Sequence, residues 1–118
     1  MLPMQKVNIA AIVGFLGVAL GAFGAHGLKA ILTAHDTTAI WQTAVFYHIT
    51  HAVASLWATE KNRTVVRLWT VGIAIFSGSL YLLAVTNARW LGAITPIGGL
   101  FLLAGWALLF KARHSPRF

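Results

Sequence analysis

Four long apolar runs separated by short polar stretches set the pattern of this chain, at about 7–25, 39–59, 68–86 and 90–110. Each approaches the roughly 20 residues that a helix needs to cross a hydrocarbon core of about 30 Å. The connections, GLKAILTAHDTT, EKNRTVVR and NAR, are short, so neighbouring helices must alternate in direction. The pattern predicts an all-α membrane protein with one domain, 1–118, of four transmembrane helices in an antiparallel up-down-up-down bundle. In the first connection Leu28, Ile31 and Leu32 share one helical side, which predicts a short interfacial helix there. Asp36 precedes the second run and is expected to cap it, whereas His35 and His114 are expected to be solvated. Trp41, Trp57, Trp69 and Trp90 fall near run ends, where indole suits the membrane interface.

Phase within the runs identifies faces. Gly14, Gly17, Gly21 and Gly24 recur at spacings of three and four, so they form one stripe on the first helix. Small residues let helix backbones approach closely in lipid. Packing against a neighbouring helix of the same chain is the expectation, and a homo-oligomer seam is the alternative. On the second helix Ala44, His48, His51, Ser55 and Ala58 form one seam, and polar groups in hydrocarbon must face protein, so this seam points inward. The third helix offers Thr70, Ala74, Ser77, Gly78 and Tyr81, with Ser79 nearby, and the fourth offers Gly92, Thr95, Gly99 and Trp106. Pro96 either kinks a full-length fourth span or starts a helix behind Thr95, leaving 91–95 irregular.

Composition agrees with a lipid environment. The chain is 58% hydrophobic and 9% charged, too few charges to clothe a soluble domain of 118 residues. The absence of cysteine excludes disulfides, thiolate metal sites and cysteine nucleophiles. The net charge of +7 changes meaning once its bases are placed. Lys6, Lys61, Arg63, Arg67, Lys111, Arg113 and Arg117 fall on one side of the alternating topology, and only Lys29 and Arg89 on the other. Such a bias predicts both termini on the cytoplasmic side. The charge therefore serves topology and lipid headgroups, and no nucleic-acid partner is expected. The first apolar run exceeds the 7–15 residues of a signal-peptide core, so a retained span is expected despite the small-x-small pattern at Ala22 and Gly24.

The stretches GAFGAHGL (21–28), TAVFYHITHA (43–52), FSGSLYLLA (76–84) and LGAITPIGGLFLLAGW (91–106) together resemble the domain of unknown function 423 family, small bacterial inner-membrane proteins with mitochondrial relatives. The resemblance covers nearly the whole chain. It implies a four-helix protein of the bacterial cell inner membrane and brings no established activity. The family pattern at the second helix reads Tyr-Gln-x-x-His. Tyr47, His51 and, in the first motif, His26 match, but His48 stands at the glutamine.

Candidate chemistry centres on these histidines. The polar interior is expected to comprise His26, Tyr47, His48, His51, Ser55, Ser77, Ser79, Tyr81 and Thr95, hydrogen-bonded across the bundle. Metal ligation would need a third ligand, and only His26 is available, about 15 Å from His48 along the membrane normal at 1.5 Å per residue. No metal or other cofactor is expected. No paired carboxylates, Ser/His/Asp set or phosphate-binding glycine loop occurs in a suitable context, so the protein is expected not to be an enzyme. The leading expectation is a binding, scaffold or accessory membrane protein, with membrane lipids as partners and room for a lipid or quinone-like ligand. The alternatives are a small transporter or proton-linked channel subunit working as an oligomer, and a metal- or haem-binding membrane protein.

Overall fold

The structure, a computed structural model, describes residues 8–112; Lys6, Val7, Arg113, His114 and Arg117 lie outside the described residues. The described chain is helical almost throughout and contains no strand. Its elements are α1 (Ile9–Ala25), α2 (Lys29–His35), α3 (Thr38–Ala58), α4 (Arg63–Thr86), a 3-10 segment (Arg89–Ala93) and α5 (Thr95–Ala112).

Local chemistry explains the boundaries. The Asn8 side chain accepts from Ala11 N–H at 3.1 Å and starts α1. Asn62 accepts from Thr64 and Val65 N–H at 3.0 and 3.2 Å and starts α4. Such caps satisfy amides that have no partner within the helix and contribute about 1 kcal/mol each. Asn62 is why α4 begins five residues before the apolar run at 68. Asp36 departs from expectation: it closes α2 in the left-handed conformation (φ 57°) rather than capping α3, whose N-cap residue is Thr37 and makes no side-chain cap. Asn87 closes α4 in the same way (φ 61°). Pro96 occupies the first turn of α5, where its missing N–H breaks no hydrogen bond, and the residues before it tighten into the 3-10 segment.

α1 packs on α3, α3 on α4 and α4 on α5, while α2 lies across α1, α3 and α4 at one end. Among the described residues α1 and α5 do not meet, so the helices form a row with α3 and α4 at its centre. The α4–α5 approach is the tightest: a Cβ on Gly98 would overlap the Phe76 backbone, and one on Gly72 would lie 2.6 Å from Leu102 Cδ2. The outer faces carry Phe15, Val18 and Phe23 of α1, Phe46 and Val53 of α3, and Leu100, Leu103 and Phe110 of α5, all exposed.

Arg63–Thr86 and Arg89–Lys111 are long and apolar enough to cross a membrane, and α1 with α2, bent by 72° at their junction, make a third span if counted together. α3 has the length, 21 residues, but the polar side chains of its seam lower its apolarity. The predicted short helix in the first connection is α2, with Leu32 buried against Trp41 and Ala84. Trp57 and Trp90 are exposed near helix ends, but Trp41 and Trp69 correct the sequence reading: they are 4% and 0% exposed, inside the protein.

Candidate functional site: a seam bridged by two histidines

The inward face of α3 is continuous. Trp41, Ala44, His48, His51, Ser55 and Ala58, at alternating spacings of three and four, are all buried. His48 joins three helices. One ring nitrogen, Nε2, lies 2.8 Å from the Val13 carbonyl of α1, and the other, Nδ1, lies 2.8 Å from the Tyr81 hydroxyl of α4. A carbonyl only accepts, so Nε2 carries the proton and donates; Nδ1 then accepts from the Tyr81 O–H. The Trp41 ring, 4.7 Å from that of Tyr81, packs beside it.

His51 is arranged the opposite way. Its Nδ1 lies 2.9 Å from the Tyr47 carbonyl, one turn back on α3, and its Nε2 lies 3.0 Å from Trp106 Nε1. Indole N–H only donates, so Nε2 accepts and Nδ1–H donates. Trp69 and Trp106 both meet the His51 ring edge-on, at 5.6 and 5.9 Å. The two histidines thus take opposite neutral tautomers, and all four ring nitrogens are engaged.

The other sequence candidates divide. Ser77 Oγ donates to the Ala44 carbonyl at 2.7 Å, tying α4 to α3. Ser79 and Thr95 hydroxyls meet at 2.6 Å, tying α4 to the start of α5. Ser55 Oγ is buried with no hydrogen-bond partner among the described residues. Tyr47 is 40% exposed, at the rim of a groove of about 310 Å³ lined also by His51, Phe76, Gly99, Leu102, Leu103 and Trp106. His26 sits exposed at the α1–α2 corner, apart from this seam. The glycine stripe faces α3: the nearest side chains are Ala52 for Gly14, Ile49 and His48 for Gly17, Val45 for Gly21 and Trp41 for Gly24.

Residues outside the polar interior expected from the sequence complete the set. Trp41 Nε1 donates to the Leu20 carbonyl at 2.9 Å and Trp69 Nε1 to the Leu102 carbonyl at 3.1 Å. Thr37 Oγ1 and His35 Nδ1 both donate to the Ala84 carbonyl, at 2.7 and 3.2 Å, and Arg89 Nη2 donates to the His35 carbonyl at 3.0 Å. His35, expected to be solvated, is therefore half-buried and fastened to the end of α4. A signal for Trp41 existed, because it continues the α3 seam three residues before Ala44.

Chemically, the seam fastens helices together. Imidazole binds a metal through an unprotonated nitrogen, and here those nitrogens, His48 Nδ1 and His51 Nε2, accept from Tyr81 and Trp106. No group of three histidine or carboxylate residues gathers among the described residues. Apolar helices with exposed aliphatic and aromatic faces, joined through buried polar bridges, define a helical membrane protein.

Comparison with known proteins gives the same class and a family. Residues 20–99 match the family described as "Protein of unknown function (DUF423)". The chain is 41% identical over 108 residues to the UPF0382 inner membrane protein YgdD of Escherichia coli K12, covering 85% of this chain and 82% of that one. It is 39% identical over 115 residues to the UPF0382 membrane protein YwdK of Bacillus subtilis, covering 90% and 93%. A UPF0382 membrane protein of Staphylococcus haemolyticus is 40% identical over 110 residues, covering 87% and 89%. No solved structure matches. The chain belongs to the DUF423 family of membrane proteins.

Proposed function

We propose that this is a multi-pass protein of the bacterial inner membrane in which α1, α3, α4 and α5 cross in alternating directions, both termini being cytoplasmic. It acts as a binding, scaffold or accessory membrane protein, without catalysis or nucleic-acid binding, and its histidines hold helices in register. The observation that carries this reading is the full engagement of both imidazoles, on Val13, Tyr81, Tyr47 and Trp106. A proton relay would have to break these bonds at each passage, and a metal would have to displace two of them. The groove beside Tyr47, His51 and Trp106 offers apolar walls and a phenol hydroxyl, which suits the head of a lipid or quinone-like molecule.

Substitution at His48 tests the reading. Glutamine carries both a donor and an acceptor, so His48→Gln can still link Val13 to Tyr81. His48→Ala removes both bonds and leaves the Tyr81 hydroxyl without its acceptor. Thermal unfolding in mild detergent should show His48→Gln close to the parent and His48→Ala less stable by about 1–3 kcal/mol. Equal stability of all three proteins would overturn the bridging role. Stoichiometric metal in metal-replete parent protein, lost in His48→Gln, would replace it with a metal site.

A further inference from the structure

We infer that the end of the protein where α1 and α4 begin and α3 finishes binds the headgroup of an anionic phospholipid. A groove of about 350 Å³ lies there, lined by Asn8, Ile9 and Ala10 of α1, Thr59 after α3, and Arg63, Val66 and Arg67 of α4. Its composition is that of an amphiphile's seat. Ile9, Ala10 and Val66 give an apolar wall for the first carbons of an acyl chain, and two guanidiniums with the Asn8 and Thr59 side chains give a polar mouth. Arg63 and Arg67 stand one turn apart on the same face of α4, so both can address one phosphate.

Position along α4 favours an anion here. Lys61 Nζ lies 5.2 Å from the centre of the exposed Trp57 ring, a pair suited to the membrane–water boundary at this end of α3. Arg67 lies one turn, about 6 Å, further along α4 than Arg63 toward its apolar body. A guanidinium at the edge of the apolar run gains from a counter-charge. Neither arginine meets a carboxylate among the described residues. The chain holds only two acids: Asp36 lies beyond the other end of α3, and Glu60 is exposed in the α3–α4 connection. The amino ends of α1 and α4 add their positive dipole ends to the same region. A phospholipid phosphate supplies the missing charge, and its chains run down the exposed face of Ile9.

Native mass spectrometry of the full chain in mild detergent, with equimolar phosphatidylglycerol and phosphatidylcholine of identical acyl chains, tests the site. The parent should retain phosphatidylglycerol preferentially. The preference should fall about fivefold for each arginine removed in Arg63→Gln and in Arg63→Gln/Arg67→Gln. Arg89→Gln, which removes the same charge at the other end of α4, should leave it unchanged. An unchanged preference in the double variant, or an equal fall in Arg89→Gln, would overturn the site. Displacement of the lipid by inorganic phosphate at millimolar concentration would also overturn it, in favour of a soluble anion. Thermal unfolding without phosphatidylglycerol separates loss of binding from loss of fold; if the double variant unfolds, Arg67→Lys, which keeps the charge and should keep the preference, decides. Binding in detergent does not depend on which face of the membrane this end occupies, so the orientation proposed above can fail independently.

Discussion

The Nε2–H of His48 meets the Val13 carbonyl at 2.8 Å, and the residue four positions on from Val13, where the helical amide partner of that carbonyl lies, is Gly17. The same relationship recurs one heptad away: Trp41 Nε1 meets the Leu20 carbonyl at 2.9 Å, and four positions on is Gly24. A carbonyl in a helix keeps a second lone pair. A side chain four residues later covers that lone pair, and glycine leaves it open. The stripe on α1 is thus more than a smooth packing face. It uncovers main-chain acceptors for ring N–H donors on α3, and the matched seven-residue steps on two antiparallel helices fix their register.

Glycines should therefore differ sharply in tolerance. A Cβ on Gly24 would overlap the Trp41 indole, and one on Gly98 the Phe76 backbone, whereas Gly14 has only Ala52 Cβ at 3.8 Å and Gly78 has nothing within 4 Å. Gly24→Ala and Gly98→Ala should each destabilise by about 1–3 kcal/mol. Gly14→Ala and Gly78→Ala should be neutral, or stabilising by up to about 1 kcal/mol through helix propensity. Thermal unfolding of the four variants in one detergent makes the comparison; equal losses would remove the close-approach argument.

The two histidines should carry opposite tautomers. In lipid bilayers, 15N solid-state NMR is expected to place the proton of His48 on Nε2 and that of His51 on Nδ1, as their carbonyl partners require. Trp106→Phe removes the donor to His51 Nε2 and should move the His51 resonances while leaving those of His48 in place. Matching tautomers at the two sites would contradict the bridges.

Much of this is legible in the sequence alone. Period 3.6 on α3 placed His48 and His51 on one inward seam, because a polar group among apolar neighbours has nowhere else to go. The helix starts were less legible: α4 begins where Asn62 caps it, outside the apolar run. Trp41 and Trp69 escape the sequence pattern for a physical reason. Indole is equally at home at an interface or donating to a buried carbonyl, and position near a run end does not separate the two. The α4–α5 contact was also hidden, since Gly98, Leu102 and Gly105 become partners only once the 3-10 segment sets the phase of α5. Three of the four histidine bonds reach residues 33 to 55 positions away, and no local pattern encodes those; only the bond from His51 to the Tyr47 carbonyl is local.

The serines of the seam should respond in opposite directions. Ser77 is fully buried and donates to the Ala44 carbonyl, so Ser77→Ala should lose about 0.6–1.7 kcal/mol. Ser55 Oγ is buried without a partner among the described residues, so Ser55→Ala removes a desolvated hydroxyl and should be neutral or stabilising by up to about 1 kcal/mol. Chemical or thermal unfolding of both variants reads the difference, and a larger loss for Ser55→Ala would mean that its hydroxyl serves a bound molecule.

Topology admits a test that the composition makes clean. The chain contains no cysteine, so each introduced one is the sole reactive thiol. If four segments cross, the α3–α4 connection and the α4–α5 connection lie on opposite faces of the membrane. Lys61 and Arg89 are exposed in or beside these connections, and neither is part of the histidine seam. Lys61→Cys should be protected from a membrane-impermeant maleimide in intact cells and labelled after permeabilisation; Arg89→Cys should be labelled in both. The opposite result at both positions would invert the protein in the membrane while leaving its crossings intact. Equal labelling of both positions in intact cells would mean that α4, at 24 residues long and apolar enough to cross, does not cross at all. With α4 outside the bilayer, the interior polar bridges would lose the lipid surroundings that require them.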